Sequence, residues 1–203
     1  MIHVLITVIL ATVVSTVAVS ADVAPRIAEG EVLRGHFIQE RHLRGFAAPL
    51  RSEGQFLLAP GRGLIWKTET PFAVTTVITE SGLIQEVNGN RTLHMPAARL
   101  PFLSRLYRML GGALAGDWQG LEDDFTLARE GSDVNWRLNM TPKKTDEMTM
   151  PFRSIIVTGK RFVDQVTLSK PDDDFDQLTF LDQVLSSTPL SADDALALSS
   201  VDR

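Results

Sequence analysis

Residues 54–72, GQFLLAPGRGLIWKTETPF, read as two short strands joined by a tight turn. In an extended chain side chains alternate between faces, so Phe56 and Leu58 oppose Gln55 and Leu57, while Leu64 and Trp66 oppose Ile65 and Lys67. Pro60-Gly61 supplies the turn, and Pro71, with no N–H to donate to a ladder, closes the unit. Both faces of this hairpin carry apolar residues. A sheet with a large apolar concavity accounts for that pattern, and an ordinary two-layer core accounts for it equally well.

Working outward, strand-like runs recur between clusters of Gly, Pro, Asn and Asp. The predicted strands are Val32 to Leu43, Arg51 to Leu58, Leu64 to Lys67, Phe72 to Thr79, Leu83 to Val87 and Thr92 to Met95. A second group follows: Phe125 to Arg129, Val134 to Met140, Phe152 to Thr158, Phe162 to Ser169 and Gln177 to Gln183. Such spacing predicts an all-β sandwich or barrel. Between the groups, Leu103, Leu106, Tyr107, Leu110 and Leu114 fall on one face of a helix that starts at Pro101 and stops near Gly111-Gly112. That helix must lay its apolar stripe on the sheet or across the mouth of a cavity. A second short helix is expected over Ala192 to Leu198, with Ser191 as its N-cap.

Residues 1–21 contain no Asp, Glu, Lys or Arg and end in Ala18-Val19-Ser20-Ala21, the small-x-small pattern of a secretory cleavage site. They are read as a signal peptide, an uncleaved anchor or a buried helix being the alternatives. Removal leaves roughly 180 residues, enough for one domain with a sizeable core. The chain has no Cys, which excludes disulfides, thiolate metal sites, a Cys nucleophile and a lipidated N-terminal Cys. A net charge of −5 and a pI near 5.4 argue against nucleic acid and against a polybasic grip on anionic lipid.

Several segments together resemble a known family, the periplasmic outer-membrane lipoprotein carriers of the LolA type. Phe37-Ile38-Gln39 resembles the F-x-Q of their first strand, and Gly54, Leu64-Ile65-Trp66 and Pro71 resemble their G…L-x-W…P hairpin. Leu138 to Lys143 is similar to a strand ending in a Pro-Lys turn, and Ile155 to Ser169, the Asp-rich turn and Leu178-Thr179-Phe180 resemble the closing strands. The resemblance spans Val32 to Leu185. It implies a mainly β fold, an incomplete curled antiparallel β-barrel with a helical lid over an apolar cavity, as one domain over 22–203. It further implies a monomeric periplasmic carrier of acylated lipoprotein or another acyl lipid. Such a carrier works between an inner-membrane transporter and an outer-membrane acceptor and needs no cofactor. The receptor of that system is itself a lipoprotein, a role the missing Cys excludes. On this reading Phe37, Phe56, Leu64, Trp66, Val74, Leu103, Leu106 and Leu110 line the cavity or lid. Where the family carries a latching Arg-Pro, this chain has Pro60-Gly61, and Arg62 is the candidate latch. A structural or adaptor β-domain of an envelope assembly is the alternative.

No catalytic constellation assembles from the sequence. His36 and His42 share a face but stand about 20 Å apart in an extended strand, too far for one metal. Asp172 to Asp176 lacks the Gly and Glu that a calcium loop needs at its sixth and twelfth positions, and reads as a solvated turn. Glu122-Asp123-Asp124 reads as an exposed turn, and Trp66, Trp118 and Trp136 as core or rim. No G-x-S-x-G, HExxH, P-loop or dinucleotide motif is present, so no enzyme and no metal is expected.

Overall fold

The computed structural model describes residues 27–99, 121–132, 134–143 and 152–202. All predicted strands form, with ends that shift by up to three residues. They are β1 Val32–His42, β2 Leu50–Ala59, β3 Gly63–Thr70, β4 Val74–Thr79, β5 Gly82–Val87 and β6 Asn90–Pro96. The second group is β7 Phe125–Ser132, β8 Asn135–Pro142, β9 Ser154–Gly159, β10 Val163–Ser169 and β11 Phe175–Ser186. Turn chemistry explains the hairpins. Asn88 and Gly89 both take positive φ (52° and 77°), the conformation a two-residue hairpin turn requires and these residues tolerate.

The strands make one antiparallel sheet of eleven, in the order β6-β5-β4-β3-β2-β1-β11-β10-β9-β8-β7, which is not closed into a barrel. Two meanders run outward from the centre, joined there by the pairing of β1 with β11. In that pairing Phe37 faces Phe180 and Arg41 faces Asp176.

The inner face carries one continuous apolar cluster. It runs from Ile78 and Leu83 through Leu64, Phe56, Leu33 and Phe37 to Phe180, Val166, Ile155, Leu138 and Phe125, touching both meanders. The outer face carries a smaller cluster of Val32, Leu57, Ala59, Ile65, Val77 and Ile84. Helix α1, Ala192–Ser199, covers it with Leu198, and Val201 follows. Ser191 caps the helix, its Oγ accepting the Asp194 N–H at 3.1 Å. This explains why the β2–β3 hairpin is apolar on both faces: each face has its own core.

Two expectations change. Phe72 does not share a strand face with Val74; it lies beyond Pro71, outside β4, with 75% of its surface exposed. Pro71 cannot donate to the ladder, so pairing resumes only at Val74. Helix α1 lies on the outer face, so among the described residues no helix acts as a lid over the inner one. The predicted signal peptide, the helix from Pro101 with Leu103, Leu106 and Leu110, and Trp118 lie outside the described residues.

Candidate functional site

Period-two alternation places Phe37, Phe56, Leu64, Trp66 and Val74 on the inner face together. The register fixes this: Phe56 faces Trp66, Leu64 faces Ile78, Trp66 faces Thr76, and Thr68 faces Val74. Phe37, Phe56 and Leu64 are buried, whereas Trp66 and Val74 are half-buried. Trp66 stacks on Phe37 with ring centroids 3.8 Å apart, and Phe180 meets Phe56 edge-on at 5.3 Å. Trp66 also meets Phe180 edge-on at 6.1 Å. Such pairs add about 0.5–1.5 kcal/mol each beyond the area they bury. The result is a rigid aromatic platform at the middle of the inner face, to which β1, β2, β3 and β11 each contribute one ring.

Phe180 was not singled out from sequence as a site residue, although its alternation with Leu178 places it on the same face. A second omission is chemically different. Asp176, expected in a solvated turn, begins the buried run of β11 with 7% of its surface exposed. It shares the inner face with Leu178 and Phe180. Its carboxylate accepts the Arg41 Nε–H at 3.1 Å and Nη2–H at 3.4 Å, and the Lys170 Nζ–H at 2.6 Å. The signal was present in the alternation Asp176, Leu178, Phe180, since a charge in an apolar stripe demands partners.

Arg62, the candidate latch, is exposed and sits at the β2–β3 turn, its N–H bonded to Ala59 O at 2.9 Å. With Val32, Ala59, Pro60 and Leu190 it lines a cavity of about 270 Å³ on the outer-face side. The histidines stay apart: His36 Nδ1 lies 3.5 Å from an Asp182 oxygen, and His42 stacks on Phe175 at 4.1 Å. Trp136 is core, its Nε1–H donated to Lys160 O at 2.7 Å. Among the described residues, no group of His, Asp and Glu could hold a metal ion. Nor is any described helix long and apolar enough to cross a membrane.

The family described as outer membrane lipoprotein carrier protein LolA-like matches residues 13–197. The chain belongs to this family. LolA-like proteins are generally carriers of lipid or lipoprotein, not enzymes, and are typically periplasmic. Similar solved structures include a LolA superfamily protein from Nitrosomonas europaea, 11% identical, covering 83% of this chain and 91% of its own, with a TM-score of 0.46. The Pseudomonas aeruginosa MucA/MucB complex is 14% identical over 81% of this chain and 55% of its own, TM-score 0.47. A Vibrio parahaemolyticus outer membrane lipoprotein-sorting protein domain is 7% identical over 88% and 94%, TM-score 0.41. Among curated proteins, none gives a significant sequence match.

Proposed function

We propose that this LolA-like protein is a periplasmic carrier that holds acyl chains of a lipoprotein or another acyl lipid and ferries them between the inner and outer membranes. The observation that carries the reading is the continuous apolar inner face, centred on the rings of Phe37, Phe56, Trp66 and Phe180, in a chain of this family. Phe37, Phe56, Leu64, Trp66 and Val74 are assigned to the lining, and Leu103, Leu106 and Leu110 to the lid. Arg62, the candidate latch, stands at the β2–β3 turn beside the outer-face cavity.

Each methylene withdrawn from water contributes about 0.8 kcal/mol, so an acyl chain of ordinary length binds firmly to a dry apolar surface. Handing it on requires loaded and empty states that differ by only a few kcal/mol, so that a partner can shift the balance. Native mass spectrometry of protein purified from an envelope fraction tests the reading, together with displacement of a fluorescent fatty-acyl probe. Bound acyl species and displacement are expected. Finding neither would sink the carrier reading and leave the adaptor, for which the exposed Phe46 and Phe72 are natural contacts.

A further inference from the structure

The inner face is not uniformly apolar. Along β1 the residues that point inward are Leu33, Phe37, Gln39 and Arg41, so this strand passes from apolar to polar along its length. On β2, Ser52 faces Gln39 and Leu50 faces Arg41. On β11 the sequence runs Phe180, Leu178, Asp176 toward that end. The aromatic platform therefore grades into a charged rim at Arg41, four residues or about 13 Å beyond Phe37.

At that rim one carboxylate holds two cations. Asp176 is buried, whereas the Arg41 and Lys170 side chains are 47% and 28% exposed. The group therefore carries one surplus positive charge. Arg41 has five N–H donors and Lys170 three; the carboxylate takes two of the first and one of the second. The rest remain for a further acceptor. Of the neighbouring acids, Asp174 accepts the Arg44 N–H at 2.8 Å, Asp172 lies 3.9 Å from Arg44 Nη2, and Asp173 is exposed. A clamp fastening the β10–β11 turn to β1 needs only one cation, because a second must also be desolvated for little net stability.

We propose that Arg41 and Lys170, positioned by Asp176, bind the anionic head of an acyl lipid whose chain lies on the aromatic platform. The inference rests on the carrier reading and sharpens it. It favours cargo bearing a carboxylate or phosphate over the uncharged diacylglyceryl group of a lipoprotein. Charge-assisted bonds to an oxyanion are the strong ones, and two convergent donors fix its place.

The test uses the full chain stripped of lipid and two probes with the same fluorophore and acyl chain, one a free acid and one its methyl ester. Binding of the acid is expected to be about tenfold tighter, and Arg41→Gln or Lys170→Gln to abolish that preference with ester affinity unchanged. Competition by phosphatidic acid and by unlabelled fatty acid, each against diacylglycerol, tells a phosphate from a carboxylate head. Equal binding of acid and ester by the native chain overturns the proposal and leaves the carrier standing. If neither probe binds, both readings fall. Should a variant fail to fold in a melting experiment, the acid-to-ester ratio of the native chain decides alone.

Discussion

At Gly54 the backbone of β2 approaches β3 so closely that any Cβ would collide with the Lys67 carbonyl, a backbone group that cannot rotate away. Gly54→Ala is therefore expected to lower stability by about 1–3 kcal/mol, read as an earlier urea midpoint with an unchanged slope. Trp66 is a different case, half-buried and in ring contact with Phe37, Phe56 and Phe180. Trp66→Leu keeps an apolar side chain there while removing the stacking surface. It should weaken acyl-probe binding several-fold with a smaller change in melting temperature; an equal loss of both would make Trp66 core and not lining. The G…L-x-W…P pattern made both residues legible. Asp176 was not, because its charge and the neighbouring run of acids signalled a turn, and only pairing with Arg41 on a strand 135 residues away shows otherwise.

Helix α1 shows how an element can be legible while its place is not. Ser191 as N-cap marked the start of the helix, but nothing local said which face of the sheet would receive Leu198. The apolar outer positions Leu57, Ile65, Val77 and Ile84 held that information, but an apolar concavity and a two-layer core fit the pattern equally well. The C-terminal segment instead covers that outer face, held by Arg34–Asp194 at 3.3 Å, by Arg91 Nη2–H to Ser200 O and by His94 to Val201 O. Ser191→Ala should cost about 1 kcal/mol through the lost cap. Leu198→Ala should cost about 2–5 kcal/mol and raise binding of an apolar dye, because it uncovers the outer cluster. Chemical denaturation followed by far-UV circular dichroism measures both.

For the whole molecule, the open sheet is decided by one long-range event, the pairing of β1 with β11, which sets the two meanders side by side. Strand spacing made the strands legible and not their closure, since turn residues report on neighbours in sequence and β1 and β11 are neighbours only in space. The same pairing places Phe37 beside Phe180 and Arg41 beside Asp176, so the platform and its charged rim form only when the two meanders meet. A ligand lying across that seam binds the folded chain and not the unfolded one, and must therefore raise its melting temperature. At one hundred times its dissociation constant such a ligand adds about 2.7 kcal/mol, or about 5–10 °C for a domain of this size. Stripped protein should accordingly melt lower than protein taken from the envelope, and adding a fatty acid should restore the difference. An adaptor with a full core would show no shift at any fatty-acid concentration below the onset of micelles.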